Sequence, residues 1–380
     1  MTITIEPTTG IETDWVALAR DIADRVAADV AGNDRDGSFA RRPFDLAKET
    51  GLSAMLVPTE FGGGGATHDQ ACQALRELGR VDPSAAVALS MHFHLVATQV
   101  WRHKHGQDAT GVLRKVAEER IILISTGASD WLDASGHAER VEGGYRVSAR
   151  KSPASGCPAG NVLVTSIAWP EGPDGPSVLH CSIPFAADGV SIEPTWDSMG
   201  LRSSGSDTVV LDDVFVPDAA VSLIREAGAW HPIWNAVLGA ALPLIMSAYL
   251  GIGQAIVDEA TTAAAERTDA ARLAPTVGRL RNELATAEDA IAAMITASDD
   301  LDFANGVDHA AFVLTRKTVS AEALVRVARL ATDIVGGRAF SKHSVVERLF
   351  RDLHGALYHP LPEARQVEFT GRLAVGLDPV

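Results

Sequence analysis

The sequence predicts a mainly helical chain built around a central β domain, and three observations predict it. Residues 11–120 repeat apolar side chains at three- and four-residue steps with charges between them. From about residue 121 to Pro217 the chain breaks into short β-rich runs punctuated by Gly, Pro, Asp and Ser. After residue 230 the helical period returns and persists. The expected division is an N-terminal helical domain over 1–120, a small β-barrel or sandwich over 121–225, and a C-terminal four-helix bundle over 226–380. A chain of 380 residues is too long for one simple core, which agrees with that division.

Each element has its own signal. DWVALARDIADRVAADVA is an amphipathic helix, and RRPFDLAKET is a second, closed by Gly51. LSAMLVP reads as a short extended run stopped by Pro58, and FGGGGAT as a flexible turn. HDQACQALRELGRVD is amphipathic again, and Asp82-Pro83-Ser84 starts a helix with Pro one step inside. SAAVALSMHFHLVATQVW is almost wholly apolar, so it belongs in a core. Glu142-Gly143-Gly144 marks a tight turn between two strands. The long helices begin at WNAVLGAALPLIMSAYLGIG, at APTVGRLRNELATAEDAIAA and at DHAAFVLTRKTVSAEALVRVARLATDIVG, the last closed by Gly336-Gly337. SVVERLFRDLHGALYH is the fourth.

Composition excludes several classes. A formal net charge of −16 and a pI near 5.1 repel a phosphate backbone, so no nucleic-acid partner is expected. Cys72, Cys157 and Cys181 are odd in number and widely spaced, which fits a reducing compartment and offers no metal knuckle. No run of about 18 uninterrupted apolar residues points to a membrane span. The N-terminus shows no leader pattern, so the expected address is cytoplasmic. GIGQAI lies inside a helix and lacks the strand–turn context of a dinucleotide fingerprint.

Five phrases, in this order, resemble the acyl-CoA dehydrogenase superfamily over nearly the whole chain: GLSAMLVPTEFGGGGAT, ELGRVDPSAA, MGLRSSGSDTVVLDDVFVP, ATDIVGGRAF and VVERLFRD. The resemblance implies a flavin between the β domain and the C-terminal bundle, and a homotetramer. It puts Ser152, Ser155 and Gly156 of SPASGCPAG beside the flavin ring, where turn chemistry alone would also explain them. It implies contact of Gly336 and Gly337 with the flavin of a neighbouring subunit, and a pyrophosphate-binding role for Arg267; a helix cap and an exposed helix arginine are the plain alternatives.

The dehydrogenase pattern then breaks. Its base is a glutamate shortly after the Arg-Asp, and Tyr358-His359-Pro360 stands there. The other known place for that glutamate falls near Ala241, again without an acid, and Glu363 and Glu368 require a shifted register. What stands there resembles the two-component flavin-dependent monooxygenases of the same superfamily: Arg-Asp-x-His with a second histidine at His359, a histidine at His92 on the apolar helix, and Ser155-Gly156. Oxygen chemistry on a reduced flavin needs a dry cavity, and imidazole exchanges a proton near neutral pH. The resulting expectations are His359 as base, His92 orienting substrate, and Ser155 assisting. His94 reads as core, His103 and His105 as solvated, and His354 as a helix-end cap. Phe93, Trp131 and Trp234, with Leu95, Trp196 and Trp230, are candidates for an aromatic-lined pocket for a small ring or amine substrate. The cofactor is FAD, or reduced FMN or FAD drawn from a separate flavin reductase. Two alternatives stay open: an acyl-CoA or acyl-carrier dehydrogenase with an atypical base, served by an electron-transfer flavoprotein, and a silent family member acting as a binding subunit. The short ISTGASDW phrase, where the family is longer, favours the last.

Overall fold

The computed structural model describes residues 13–126 and 129–380. Residues 1–12, and Gly127-Ala128 of ISTGASDW, lie outside the described residues. Five helices come first: α1 (Trp15–Asp36), α2 (Arg41–Thr50), α3 (His68–Val81), α4 (Pro83–Lys104) and α5 (Thr110–Glu119). Eight strands follow: β1 (Leu123–Ser125), β2 (His137–Val141), β3 (Gly144–Lys151), β4 (Val162–Trp169), β5 (Ser177–Pro184), β6 (Val190–Glu193), β7 (Thr208–Pro217) and β8 (Val221–Glu226). The chain then returns to helix in α6 (Ile233–Ala265), α7 (Ala270–Ala297), α8 (Val307–Val335), α9 (Val345–Leu353) and α10 (Glu363–Ala374).

The helix ends follow from capping chemistry. Asp14 accepts from the Ala17 N–H at the start of α1, Thr67 and Gln70 close a reciprocal box on α3, and Asp82 accepts from the Ala85 N–H with Pro83 at the first turn of α4. The LSAMLVP segment differs from its expected extended form. Leu52–Ala54 is a 3₁₀ turn, and the glycine run folds back on it, with the N–H groups of Gly64, Gly65 and Ala66 donating to Ala54, Val57 and Met55. Those bonds also make FGGGGAT an ordered turn.

The strands form two four-stranded sheets, ordered β1-β4-β5-β8 and β2-β3-β7-β6. β1 pairs parallel with β4, and every other pairing is antiparallel. Glu142-Gly143 is the two-residue turn of the β2–β3 hairpin, with Gly143 at φ +76.

α6 is apolar all round because it packs against α3, α4, α7, α8 and α9. It is long and apolar enough to cross a membrane, yet 94% of its apolar window is buried inside the protein. Bare backbones set its crossing with α3: a Cβ on Gly79 would stand 2.3 Å from the Ala248 oxygen, and one on Gly251 would stand 2.1 Å from the Arg76 oxygen. The final expected long helix is instead the nine-residue α9 followed by a 3₁₀ turn over His354–Leu357, and the sequence reading missed α10 beyond Pro362.

One junction ties the three regions together. Arg351 on α9 pairs bidentately with Asp34 at the end of α1 (2.7 and 3.2 Å), with Glu347, and with the Met199 carbonyl. Its neighbour Asp352 is buried and accepts the Leu201 N–H at 2.6 Å. The same 197–206 loop reaches α1 through Arg202 Nε to the Asp34 carbonyl, and α2 through the Ala40 N–H to the Ser203 carbonyl. The MGLR phrase and the Arg-Asp phrase are therefore two halves of one clamp.

Burial raises the Asp352 carboxyl to about 7, against the pull of the Leu201 N–H and Arg348. A carboxyl that binds its proton more tightly folded than unfolded contributes most at low pH, and that contribution is lost as pH rises through about 7. Asp352→Ala is expected to cost about 1–3 kcal/mol in urea unfolding, since the Leu201 N–H is left without its acceptor. The stability of the wild type relative to Asp352→Asn should fall between about pH 4 and about pH 7 and level off above that; a flat difference would contradict the buried-carboxyl account.

Candidate functional site

The Arg351–Asp352 clamp brings the turn after α9 against the middle of α6. A Cβ on Gly355 would lie 2.6 Å from the Tyr249 hydroxyl and 2.9 Å from Leu201 Cδ1, so only a glycine lets these segments meet. The His359 ring stands edge-on to the Tyr249 ring, centroids 5.3 Å apart. His359 is part-buried, with its ring turned inward on Tyr249. Burial first, then the charges of Lys317 and His94, push its imidazole down to about 3.

Four elements thus contribute one cluster: His94 from α4, Tyr249 from α6, Lys317 from α8, and His359 from the segment before α10. Lys317 is 1% exposed and donates to the Leu361 carbonyl at 3.2 Å, which holds the chain just beyond His359. Desolvation lowers Lys317 to about 8. The Tyr249 hydroxyl and His94 Nδ1 are buried with no hydrogen-bond partner among the described residues. Burial lowers His94 to about 4, although the Ser90 backbone one turn back favours its protonated form. Burial also raises the Tyr249 phenol well above its ordinary value, with Asp352 adding to it.

On the other side of Leu201 the β domain offers a run of hydroxyls. Ser155 Oγ meets Ser206 Oγ at 2.8 Å, and Ser206 meets Ser204 at 2.7 Å. The Gly156 N–H donates to the Ser204 carbonyl, and the buried Ser203 Oγ has no partner among the described residues. Ser152 is exposed at the start of the same loop. This donor-rich seam suits the carbonyls and ring nitrogens of a flavin.

A tryptophan wall stands where the β domain meets α6. Trp131 stacks on Trp230 (5.9 Å, 9°) and tilts onto Trp234 (4.7 Å), whose Nε1 donates to the Trp131 carbonyl at 2.7 Å. Trp230 meets Phe369 of α10 edge-on at 4.8 Å. The Trp131 loop is fixed from beneath. Lys151 Nζ reaches Asp130 at 2.8 Å and Ser135 at 2.9 Å, Ser166 donates to Asp130, and Arg225 donates to the backbone carbonyls of Asp130, Leu132 and Asp133.

Several expected site residues fall elsewhere. His92 is fully buried and fully partnered: Nε2 donates to the Ser53 carbonyl at 2.7 Å and Nδ1 accepts the Leu123 N–H at 3.0 Å. It ties α4 to the 52–54 turn and to β1, and the histidine of the cluster is His94, two residues on. Phe93 is wholly buried against His92 and is not among the residues that line the two grooves beside α3. Arg267 is bound by Asp269 within the exposed α6–α7 turn, and Gly336 and Gly337 lie in open space beside Phe340, which is 94% exposed. No described contact joins these three to the seam. His354 bonds back to the Phe350 carbonyl at 2.7 Å, as a helix-end histidine does. Glu363 and Glu368 are exposed on α10, and Ala241 is buried in α6. Among the described residues no group of three His, Cys, Asp or Glu is placed to hold a metal. Two surface grooves of about 480 and 440 Å³ flank α3 and include none of the seam residues.

Sequence reasoning missed Tyr249 and Lys317. Lys317 had a readable signal, because it shares a helical face with Val313, Leu314, Ala321 and Leu324, all buried.

Comparison with known proteins gives matches over both helical regions. Residues 12–119 match the family model "Acyl-CoA dehydrogenase, N-terminal domain" and residues 235–356 match "Acyl-CoA dehydrogenase, C-terminal domain". The chain is 29% identical to an amino sugar nitrososynthase of Streptomyces rubradiris, over 93% of this chain and 88% of that protein. It is 28% identical to an isobutylamine N-hydroxylase of Streptomyces viridifaciens, over 83% and 85%. In fold it is similar to KijD3, solved with FMN and a dTDP-amino-keto sugar: TM-score 0.86, 24% identity, 97% of this chain and 96% of that one.

The two α4 histidines separate by experiment. His92→Leu strips partners from a buried carbonyl and a buried N–H, and should cost about 2–4 kcal/mol in chemical denaturation. His94→Leu replaces a ring whose Nδ1 is unpartnered, and should stay within about 1 kcal/mol of the wild type. Equal losses would mean that both rings are structural.

Proposed function

The chain belongs to the acyl-CoA dehydrogenase superfamily, and from that premise we propose that it is a reduced-flavin monooxygenase acting on a small ring or amine substrate, not a dehydrogenase. One observation carries the reading: where a dehydrogenase needs a carboxylate, this chain has a part-buried, neutral His359, edge-on to Tyr249 and under the electrostatic influence of Lys317 and His94. The charges that bear on His359 from described residues come only from Lys317 and His94. The likeness to an N-hydroxylase and a nitrososynthase supports the same choice.

A reduced flavin bound along the Ser155–Ser206–Ser204 seam supplies the electrons that activate oxygen. Ser155 and Ser206 would hold its polar edge, and Gly156, packed on Phe44 at φ +77, would set the turn that presents them. Ser152 stands at the mouth of this loop. Trp131 and Trp234, held by the Asp130–Lys151–Arg225 network, form the apolar side that holds a flat substrate and excludes water. A neutral His359 nitrogen accepts the hydrogen bond of the substrate's O–H or N–H and takes its proton as the heteroatom is oxidised. This corrects the expectation of a histidine titrating near neutral pH: burial holds His359 down to about 3, so it rests neutral at physiological pH and is charged only while it holds the substrate's proton. FMN is the proposed flavin, as in the KijD3 structure, and a separate reductase reduces it. Gly336, Gly337 and Arg267 are proposed to meet the flavin of a neighbouring copy, with Phe340 in that interface; the assembly is a homotetramer.

Two measurements test this. Protein loaded with reduced FMN and mixed with oxygenated buffer in a stopped-flow cell should show an absorbance transient that outlasts the reoxidation of free reduced FMN. Reoxidation at the rate of free flavin would remove the oxygenase reading, and failure to bind flavin at all would favour a silent subunit. His359→Ala should keep FMN affinity and lose about 10²–10⁴-fold in turnover of a ring or amine substrate. Turnover within a few-fold of the wild type would end the base assignment.

A further inference from the structure

We propose that Lys317 is a positioning residue for His359: a buried cation of α8 that holds the segment carrying the histidine by the carbonyl of Leu361. Its consequence for turnover rests on the reading of His359 as the base; the hold itself does not.

That segment has little else to fix it. It lies between the 3₁₀ turn over His354–Leu357 and α10, and Pro360 and Pro362 have no N–H to give. The Tyr358 N–H closes back on the Gly355 carbonyl, and the N–H groups of Arg365 and Gln366 return to the Pro362 carbonyl. Between those two anchors, residues 359–361 make one described hydrogen bond, from Lys317 Nζ to the Leu361 carbonyl at 3.2 Å. Apolar contact does the rest: Leu361 is buried, and the His359 ring lies edge-on to Tyr249. Apolar packing has no direction. The bond to Lys317 is the described contact that sets this segment against α8.

Lys317 is a poor choice for stability, which points to another use. Lys151, also buried, meets Asp130 at 2.8 Å and both the carbonyl and the hydroxyl of Ser135 at 2.9 Å. Lys317 is 1% exposed, has no carboxylate within ion-pair distance among the described residues, and donates to one neutral carbonyl. An ammonium so nearly uncompensated is unfavourable in a core, and an apolar side chain of similar length escapes that penalty. The helix face offers such a residue a place, because Val313, Leu314, Ala321 and Leu324 on it are all buried. A group that weakens the core, and whose one described bond reaches the segment of the candidate base, serves that segment. Its charge acts in the same sense. After burial it is Lys317, then His94, that keeps the His359 imidazole unprotonated and able to accept.

The test compares Lys317→Met and Lys317→Gln with the wild type, as full chains loaded with FMN. Methionine cannot donate; glutamine keeps an N–H donor and loses the charge. The readouts are urea unfolding, hydrogen exchange by mass spectrometry, and oxidation of benzylamine, phenol and indole with a flavin reductase present. Lys317→Met should unfold at the same urea concentration as the wild type or a higher one. Peptides over 355–368 should exchange about tenfold faster, as the loss of a bond from a charged donor requires, while peptides of α6 and α8 keep their rates. Turnover should fall about 10–10²-fold with KM within about threefold, the mark of a displaced group and not of lost binding. Lys317→Gln should retain most of the exchange protection and more of the turnover. Unchanged exchange in Lys317→Met denies the hold. A lowered unfolding midpoint with faster exchange throughout the bundle makes Lys317 an ordinary part of the core. Faster exchange over 355–368 alone with wild-type turnover removes the positioning role. Any of these three results overturns the proposal. Wild-type turnover in His359→Ala removes the base reading by itself, and the exchange measurement still decides the hold.

Discussion

Asp352 is a carboxylate out of reach of water, and the protein spends it on a single backbone N–H, that of Leu201. Beside it, Arg351 divides its guanidinium among Asp34, Glu347 and the Met199 carbonyl. Neither bond is unusual alone. Together they set the height of the β domain on the bundle, because Leu201 belongs to the loop that carries Ser203, Ser204 and Ser206. The same contact sets Gly355 on Tyr249, and with it the turn that leads to His359. The hydroxyl seam and the histidine cluster are therefore placed by one joint, which stores the strain of a buried acid as a condition of assembly.

Charge inside this fold is handled in two ways. The Asp130–Lys151 pair, with Arg225 on the neighbouring carbonyls, is closed on itself and makes the Trp131 loop rigid. Lys317 has a single described acceptor, the Leu361 carbonyl, and no carboxylate within ion-pair distance among the described residues. In the first case low dielectric strengthens bonds already made; in the second desolvation lowers the lysine to about 8. α4 likewise carries two buried histidines in different settings. Two residues turn the helix by about 200°, so His92 faces β1 and the 52–54 turn while His94 faces His359.

Much of the fold was legible in the sequence because its signals are local. The helical period of α1 and α3, the Asp82-Pro83 start of α4, and the Glu142-Gly143 hairpin each need only their own residues. Family phrases reached further, and the likeness of MGLR and Arg-Asp to the superfamily was readable, although the bond between them was not. For the candidate site, the Arg-Asp phrase singled out His359, whose ring the structure turns onto Tyr249. His92 was preferred to His94 because a motif locates a histidine to within a turn, while the direction of the ring depends on which neighbours offer a carbonyl. Ser53 and Leu123 offer both partners to His92, and they lie 39 and 31 residues away. LSAMLVP was read as extended because nothing in its own residues announces that the glycine run will return to cap it. Lys317 and Tyr249 were missed because helix periodicity was used to find apolar faces and not to ask which polar residues sit on them.

The pairing of Asp34 with Arg351 spans 317 residues. Contacts so distant in sequence form only after the intervening chain has paid its closure entropy, so they are late events in folding. As the chain leaves the ribosome, the N-terminal helices can collapse and the strands can pair, but the seam has no second wall until α9 emerges. The seam and the His359 turn therefore come together only once α9 has reached the N-terminal helices, so on an unfinished polypeptide the two remain apart.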